Sequence, residues 1–503
     1  MVSPFRVIRC FSSSLPTIFF SLMANICFSV MSARTPLLHH LAERLGPLGH
    51  HIYWLCPSPF WKSWLQQRGI PEDDILDETI ATRQGMLSAR ERREATEMLA
   101  NTERTFGFTI TNMILMDRFL REKAPDFSIT YLLGLYVLLQ RFFSGKHIEF
   151  VIGEPTLAYD LLASLTCRQM EIPYLFPLGI RIPDSRFAFF RGWNQSQIRC
   201  PNDPPEPDAA LSWVRPFLAR FEEEKPKPEY WTRFNQKKFF KRQWLPKGVA
   251  NIVDDLRIGN SDPTRATTRY LVTNKAKELT NRLMLHINSP FSGVQAKDAP
   301  PYVLFPIHKQ PESSIDVLGD FYSNQLELIR NIVRSLPASH SLFVKEHSNA
   351  IGERGVFFYS RVKRLPKVHV IDPRADSYAL LGGASAVLTV AGTMAYEAGL
   401  LGKPAITFAP LFFNELPSVG FCKNIRELPG IIQHTLHDGT EPVDSDNARE
   451  KRLEFLANLY RNSYEGTFTD VLTYPEVMED DNLSRLSLAI DDTVRARNSY
   501  WPP

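Results

Sequence analysis

The segment 386–404 combines a strand, a tight turn and a helix in a pattern that suits phosphate binding. Its apolar run Ala386–Val390 predicts a buried strand, and Gly392 and Thr393 predict a turn that opens a helix with Thr393 as the N-cap. A helix N-terminus offers backbone N–H groups and the positive end of the helix dipole to an anion. Glu397 lies one turn further along this helix, where its carboxylate could accept hydrogen bonds from ribose hydroxyls. An ordinary strand-turn-helix unit with a surface glutamate fits the same pattern.

Two more polar clusters follow predicted strands. His308 and Glu312 come just after one apolar run, and Lys345 and His347 close another. Because parallel strands place their carboxyl ends at one edge of a sheet, we expect both clusters to converge on the turn at Gly392. Ammonium and imidazole groups at such an edge would stabilise negative charge on a departing phosphate.

The first half of the chain contributes two candidates. Glu154 ends the predicted strand Ile148–Gly153, where an open α/β sheet binds its ligands, although it could equally cap the following helix. Arg181 lies on the predicted loop Arg181–Phe187, together with Arg186. These arginines either hold an anionic sugar or phosphate or form surface ion pairs.

The elements that must position these residues alternate between strands and helices. This alternation predicts an α/β protein with parallel sheets, right-handed crossovers and helices on both sheet faces. The predicted strands are Ala24–Val30, His50–Cys56, Ile148–Gly153, Ile172–Pro177, Tyr302–Pro306, Ser341–Lys345, Val368–Ile371, Ala386–Val390 and Ala405–Phe408. The main predicted helices are Pro36–Leu45, Thr156–Gln169, Lys275–Asn288, Asn324–Ser335, Phe357–Arg364, Asp376–Gly382, Pro429–Leu436 and Asn447–Tyr464.

Composition narrows the class of protein. The 503 residues allow two or three domains, and 44% hydrophobic with 22% charged residues indicates a globular chain. The balance of 58 basic and 55 acidic residues, a net charge of +3, argues against nucleic acid as a partner. The six cysteines are scattered without metal-ligand spacing, which favours a reducing cytoplasm over a disulfide or zinc framework.

The N-terminus allows two interpretations. The apolar stretch Leu15–Met31, preceded by arginines, resembles a signal peptide, whereas Ala24–Val30 also reads as the first core strand. We prefer the strand, with residues 1–22 as a disordered extension. No other segment is expected to reach the length of a membrane span.

The predicted domains are an N-terminal one at 23–290, with an insertion near 200–290, and a C-terminal one at 300–430. Helices and a loosely held tail from Glu479 complete the chain. Within the insertion, Tyr230–Gly248 interleaves aromatic and basic residues. It would touch a membrane surface or an anionic lipid-linked acceptor, or simply form a helix with buried phenylalanines.

Three ordered motifs give the chain a family resemblance. They are YVLFPIHKQPESS from Tyr302, LFVKEH from Leu342 and VLTVAGTMAYEAGLLGKP from Val387. Together they resemble the bacterial capsule polysaccharide biosynthesis family, Kdo-transferase-like glycosyltransferases with the two-domain GT-B fold. The resemblance is strongest over residues 301–414 and weaker around Glu154 and Arg181–Phe190.

The resemblance implies two α/β domains facing a cleft, C-terminal helices that cross back, and metal-independent transfer without a cofactor. The donor would be a nucleotide sugar, with a CMP-activated Kdo-like acidic sugar suspected, and the acceptor a glycan or glycolipid. His347 and Thr393 would hold phosphate, Glu397 would contact the nucleotide, and Glu154 is the acidic group facing the acceptor. His308 and Glu312 would line the cleft, with His308 counted beside Glu154 and His347 as a catalytic candidate. The implied location is cytoplasmic, with peripheral contact at the inner face of the plasma membrane.

Two residues depart from the family pattern. His347 is followed by Ser348 where the family has proline, and Gly392 stands where it has serine. Glycine still allows close backbone approach but removes one hydroxyl donor. The change at Gly392 points to weaker or altered donor binding.

Two rival functions remain open. The first is a sugar-nucleotide 2-epimerase, which shares the architecture and the nucleotide cleft but needs no acceptor. The second is a non-catalytic member that binds glycans or partner proteins in a polysaccharide assembly complex. The triplet Asp444-Ser445-Asp446 is interpreted as a solvated turn rather than a metal site.

Overall fold

The computed structural model describes residues 23–83, 85–226, 263–264, 266, 268–292, 299–438 and 445–496. The described chain forms two separate sheets with helices on their faces, one sheet in each half. The predicted extension 1–22 and the basic-aromatic segment Tyr230–Gly248 lie outside the described residues.

The N-terminal sheet has the strand order β13-β6-β5-β4-β1-β2-β3. Strands β1 to β5 run parallel, whereas β6 and β13 are antiparallel to their neighbours. The strands are β1 Asn25–Ser29, β2 His51–Cys56, β3 Ile75–Asp77, β4 Phe150–Ile152, β5 Tyr174–Gly179, β6 Arg186–Arg191 and, late in the chain, β13 Tyr464–Glu465.

Helices cover this sheet on both faces. Each parallel connection passes through a helix, as a right-handed crossover requires. The helices are α1 Thr35–Leu45, α2 Pro59–Gln66, α3 Ala89–Phe106, α4 Ile110–Met116, α5 Pro125–Gly145, α6 Ala158–Gln169 and α7 Pro207–Glu224. Strand β1 is almost fully buried, because it lies between β2 and β4 in the middle of the sheet. Its central residues are accordingly apolar.

The C-terminal sheet has the order β12-β11-β10-β7-β8-β9, and its strand pairs are parallel. Its strands are β7 Tyr302–Pro306, β8 Ser341–Lys345, β9 Val368–Ile371, β10 Ala386–Thr389, β11 Ala405–Thr407 and β12 Val419–Phe421. The helices from here on, in chain order, are α8 Thr268–Ile287, α9 Ser313–Asp316, α10 Gln325–Ser335, α11 Val356–Lys363, α12 Ser377–Gly383, α13 Thr393–Leu400, α14 Leu428–Gln433, α15 Asp446–Arg461 and α16 Asp480–Arg495.

The C-terminal helices cross back to the first half of the chain. Helix α15 packs along α7, and α16 packs on α1. The prediction of a loose tail from Glu479 is therefore wrong for its described part. In α16, Leu483, Leu486 and Ile490 recur at helical spacing and are buried against the N-terminal core.

Helix α5 also corrects the sequence analysis, which expected no further span-length segment. It is long and apolar enough to cross a bilayer, with a mean hydropathy of 1.3 over its most apolar window. However, half of that window is buried, and residues such as Leu132, Leu135 and Leu139 belong to the N-terminal core. Burial inside the fold therefore accounts for the apolar sequence of α5.

The two halves share one continuous hydrophobic core. Residues of β5 and β6, such as Phe176 and Phe190, belong to the same buried cluster as Tyr396, Phe412 and Leu453. The structure thus has two Rossmann-like α/β domains with returning C-terminal helices. This confirms the predicted GT-B type of architecture.

We expect Leu486→Ala to lower the free energy of unfolding by about 2–5 kcal/mol, because it empties a buried site between α16 and the N-terminal half. Denaturant unfolding checks this value. Leu488→Ala, at an exposed position of the same helix, is the matched control and should change stability by less than about 0.5 kcal/mol. Equal effects of both variants would contradict the packing of α16.

Candidate active site at the cleft between the two sheets

Each sheet has a switch point where the strand order reverses, and the chain places its polar residues there. In the N-terminal sheet the switch lies between β1 and β4, and in the C-terminal sheet between β7 and β10. Crevices at the carboxyl ends of such strands are the ligand sites of open α/β sheets. Glu154 follows β4, His308 follows β7, and Gly392 follows β10.

His308 connects the loop after β7 to the turn after β10 by hydrogen bonds. Its Nε2 accepts the backbone N–H of Ala391 at 3.2 Å and lies 3.0 Å from the hydroxyl oxygen of Thr389. That hydroxyl oxygen in turn accepts the N–H of Gly392 at 3.2 Å. Burial and, to a smaller extent, the nearby charges of His347, Arg354 and Arg181 together lower the pKa of His308 to about 3. The His308 ring is therefore neutral, and its Nε2 is already used as an acceptor within the turn. This geometry favours a positioning role for His308 over a catalytic one.

Gly392 is packed too closely to carry a side chain. A Cβ atom there would lie 2.6 Å from Thr389 Oγ1 and 3.4 Å from His308 Cε1. Gly392 is also the N-cap of α13, with extended backbone dihedrals, so the prediction of Thr393 as N-cap is wrong by one residue. The close approach to Thr389 explains in physical terms why glycine stands where the resembled family has serine.

Glu397 lies almost buried on α13, one turn after the crevice. Its carboxyl group is hydrogen-bonded to the hydroxyls of Tyr378 and Thr393 and feels the charge of Arg181. Burial raises its pKa to about 7, and these three groups oppose part of the rise. The Tyr378 hydroxyl also lies 3.0 Å from the carbonyl oxygen of Pro226. Because one proton serves one acceptor at a time, ionised Glu397 competes with that carbonyl.

His347 presents a neutral imidazole to the crevice. Its Nδ1 accepts the backbone N–H of Asn349 at 3.2 Å, which leaves the ring proton on Nε2. Burial and, to a smaller extent, the charges of Lys345, Lys309 and Arg354 together lower the pKa of His347 to about 4. The Nε2–H group therefore sits in a positive field, which suits an anionic ligand.

Glu346 and Arg354 form a buried ion pair that the sequence analysis did not single out. Arg354 Nη1 donates to both carboxylate oxygens, at 2.8 and 3.0 Å, and Tyr359 donates at 2.7 Å. Arg354 Nη2 also donates to the carbonyl oxygen of His308 at 2.5 Å. The pair thus joins the loops after β7 and β8. Arg354 lies in a glycine-bounded loop, Gly352 to Gly355, which was the available signal.

Lys345, predicted to bind substrate, uses its ammonium group inside the protein. It donates to the carbonyl oxygens of Pro373 at 3.0 Å and Glu346 at 3.4 Å, and the residue is buried. Its charge still acts on His347. The geometry therefore assigns Lys345 an electrostatic contribution and a structural one, without direct exposure to a ligand.

Arg181 reaches the C-terminal crevice from the opposite half of the chain. It stands at a φ of +68° in the loop between β5 and β6. The next residue, Ile182, accepts a hydrogen bond from the Tyr396 hydroxyl at 2.6 Å. Because Tyr396 precedes Glu397 and Ile182 follows Arg181, this bond brings guanidinium and carboxylate to the same place. Burial raises the pKa of both Glu397 and Glu312, and the charge of Arg181 opposes that rise in each.

Arg186, in contrast, is structural. It begins β6 and donates to Ser463 Oγ at 2.9 Å and to backbone oxygens at the end of α15. Of the two arginines predicted on one loop, Arg181 alone faces the crevice residues.

Glu312 occupies the N-cap position of α9, without a capping hydrogen bond from its side chain. Its residue is exposed, yet the loss of surrounding water raises its pKa, opposed by Arg181, Lys309 and Ser314. The Glu312 carboxyl group is therefore accessible to solvent and also surrounded in part by protein atoms, as expected for a residue in the wall of a cleft.

Glu154 lies at the other switch point. Its Oε2 accepts from Arg34 Nη1 at 2.5 Å, and both side chains are about one-fifth exposed. Arg34 follows β1, so the pair spans the crevice between β1 and β4. The second half of the chain contacts this half nearby through Arg121 with Asp316, 3.5 Å apart, and Asn112 with Asp320, at 2.7 Å.

The structure therefore gathers most of the predicted residues into one place. His308, His347, Gly392, Thr393 and Glu397 line the C-terminal crevice, with Lys345 beneath it. Arg181 and Glu312 stand at its opening, and Glu154 lies at the N-terminal crevice. The sequence analysis missed Thr389, Gln325, Glu346 and Arg354, which hold the first set in position.

Comparisons with known proteins give likeness in structure alone. No protein-family profile and no curated protein matches the sequence. A UDP-GlcNAc 2-epimerase from Methanocaldococcus jannaschii is 12% identical, covering 87% of this chain and 99% of its own, with a TM-score of 0.25. The β-Kdo 2,7 transferase KpsC from Thermosulfurimonas dismutans is 10% identical, covering 70% and 88%, with a TM-score of 0.29. MurG from Acinetobacter baumannii is 11% identical, covering 93% and 99%, with a TM-score of 0.26. At these scores they carry no argument about activity.

We expect Gly392→Ala to reduce the free energy of unfolding by about 1–3 kcal/mol, because the added methyl group displaces the Thr389 hydroxyl from His308. Denaturant unfolding measures the change. Gly382→Ala is the control, since a Cβ there meets no atom within 4 Å and alanine favours a helix. A tolerated Gly392→Ala would show that the turn can relax.

We also expect Glu397 to make stability depend on pH. Its pKa rises on folding from 4.5 to about 7, so the folded protein holds an extra proton between those values and loses stability as pH rises through them. Glu397→Gln should remove this loss. The stability of the variant relative to wild type should therefore be higher at pH 8 than at pH 4.5, by about 3 kcal/mol at most. Unfolding curves at both pH values test this. A difference between wild type and variant that is independent of pH would refute it.

Proposed function

We propose that this protein is a glycosyltransferase of capsule or surface polysaccharide biosynthesis. The donor, a nucleotide sugar, binds in the C-terminal crevice, and a glycan or lipid-linked acceptor approaches from the N-terminal crevice. The observation that carries the proposal is the hydrogen-bonded turn from Thr389 to Gly392, which fixes the N-terminus of α13 against His308, one turn before Glu397.

The C-terminal crevice supplies the groups that a departing nucleotide phosphate needs. Helix α13 directs the N–H groups of its first turn and its positive dipole end at the crevice. His347 Nε2 offers a donor in a field of nearby cations. As the sugar–phosphate bond breaks, negative charge grows on the phosphate, and these fixed donors stabilise it.

Glu397 would accept hydrogen bonds from the ribose hydroxyls. Its carboxylate is held by Tyr378 and Thr393 and is oriented before a ligand arrives. Arg181, reaching over from the other half, stands where it would pair with an anionic group of the donor. A sugar carboxylate is an anion that a guanidinium group can bind with two hydrogen bonds, and together with the family resemblance this supports an acidic, Kdo-like sugar activated by CMP.

Glu154 is the proposed acceptor-side carboxylate. Arg34 orients it at the edge of the N-terminal crevice, where it would take the proton from an attacking acceptor hydroxyl. The acceptor oxygen then bonds to the sugar carbon while the nucleotide leaves with the electron pair of the broken bond. The proposed location is the cytoplasm, with contact at the inner face of the plasma membrane.

The first experiment is a titration with CMP, UDP and GDP, read by calorimetry and thermal melting. We expect binding of CMP and a loss of at least about tenfold in affinity in Glu397→Ala, since one ribose contact is worth about 1.5 kcal/mol. His347→Ala should abolish transfer. Asn349→Ala, which keeps the backbone N–H bonded to His347, serves as control.

The outcomes separate the alternatives. Binding of UDP with product formed in the absence of an acceptor would indicate a 2-epimerase. Full transfer activity in His347→Ala would remove that residue from the mechanism. If no nucleotide binds, the transferase proposal fails and a non-catalytic glycan-binding or partner-binding role takes its place.

A further inference from the structure

Helix α8 carries an apolar stripe that faces solvent. Val272, Leu279, Leu283 and Ile287 are 60%, 59%, 58% and 70% exposed, and they recur every three to four residues together with exposed Ala276. That spacing places them on one face of the helix over about four turns. Single exposed apolar residues are common on protein surfaces, but a continuous stripe of this length marks an interaction surface.

The other face of α8 fixes the helix to the protein. Leu285 is buried in the C-terminal core, and Asn281 Nδ2 donates to the carbonyl oxygen of Gly352 at 2.9 Å. Gly352 belongs to the loop that leads from His347 to α11. Helix α8 is therefore anchored to the loop that forms one wall of the proposed donor crevice, with its apolar stripe on the opposite, solvent-facing side.

Helix α11, next to α8, carries a second exposed face with apolar and basic residues. Phe357 is 81% exposed, and Arg361 and Arg364, four and seven residues later, are exposed on the same side of the helix. Asn281 of α8 lies against Gly355 at the start of α11, so the two helices adjoin. We call the apolar stripe of α8 together with this face of α11 the α8–α11 surface.

The charge of this surface is positive. Helix α8 carries Arg269, Lys275, Lys277 and Arg282 against the single acidic residue Glu278, which pairs with Lys275 and Arg282 at 2.8 and 2.7 Å. Residues 356–364 contain three basic and no acidic residues. An apolar stripe bordered by lysine and arginine is the composition of helices that lie in the interface of anionic membranes.

We propose that the α8–α11 surface docks the protein on an anionic lipid bilayer. This inference deepens the proposed function, on which it rests for a lipid-linked acceptor, by naming the surface that brings the enzyme to it. A second copy of the chain is a poorer occupant, because two such helices would face each other with like charges. Because α8 is also anchored to the Gly352 loop, docking through α8 would hold the donor-binding half of the chain near the membrane that carries a lipid-linked acceptor.

The experiment is flotation of the full chain with phosphatidylcholine vesicles, with and without phosphatidylglycerol. Wild type should float with the anionic vesicles, less so as salt rises, and hardly with the neutral ones. Leu279→Ser combined with Leu283→Ser should weaken vesicle binding by at least about tenfold, and Arg269→Glu with Lys277→Glu should remove the preference for anionic lipid. CMP binding should stay unchanged in both.

Two control pairs make the result specific. Leu472→Ser with Leu488→Ser changes exposed leucines elsewhere, 77% and 60% exposed, and should leave flotation intact. Phe239→Ser with Phe240→Ser alters the basic-aromatic segment. Loss of flotation only in this last pair would overturn the assignment to the α8–α11 surface, as would wild type that fails to float.

Two further results distinguish the failures. A dimer in sedimentation analysis that the Leu279 and Leu283 variant loses, with no vesicle binding, would make the stripe a self-association surface and overturn the proposal. Vesicle binding through α8 without binding of any nucleotide would leave the docking surface standing while the transferase function falls.

Discussion

The hydrogen bond from Tyr396 to the carbonyl oxygen of Ile182 sets the relation between the two sheets at the cleft. It is buried, it joins α13 of the C-terminal half to the β5–β6 loop of the N-terminal half, and it measures 2.6 Å. Each partner is one residue away from a charged group of the crevice. Consequently a single contact fixes Arg181 against Glu397, and a shift of the loop would move both the charge and the boundary of the crevice.

The electrostatics of the crevice follow from burial as much as from ion pairs. Both histidines are neutral because burial lowers their pKa values, to about 3 for His308 and about 4 for His347. Burial acts in the opposite direction on Glu397 and leaves its pKa near neutrality. The fixed cations are thus only partly balanced, and the crevice favours anions without placing a charged imidazole in it. A bound phosphate would reverse part of this by favouring the protonated form of His347.

The sequence predicted the bounds of the strands more accurately than the side-chain contacts between distant residues. The strands at Tyr302–Pro306, Ser341–Lys345 and Val368–Ile371 have these bounds in the structure, because short apolar runs between polar or proline boundaries are read locally. The role of His308 could not be predicted from a local sequence pattern, because it depends on Thr389, 81 residues further along the chain. The helical pattern of α16 was present in the sequence, but the surface that buries it, on α1, lies more than 400 residues earlier.

The returning C-terminal segment has a consequence for synthesis on the ribosome. Strand β13 completes the edge of the N-terminal sheet beside β6, and α16 covers the apolar face of α1 and contributes Asp491 to the buried ring of His50 at 2.8 Å. These parts are translated long after the N-terminal half. The nascent N-terminal half therefore emerges with an open sheet edge and an uncovered apolar face for as long as the rest of the chain is being made. A chain that stopped before residue 464 would keep this edge and this face exposed although every residue of the proposed crevices had been made, and such surfaces favour aggregation.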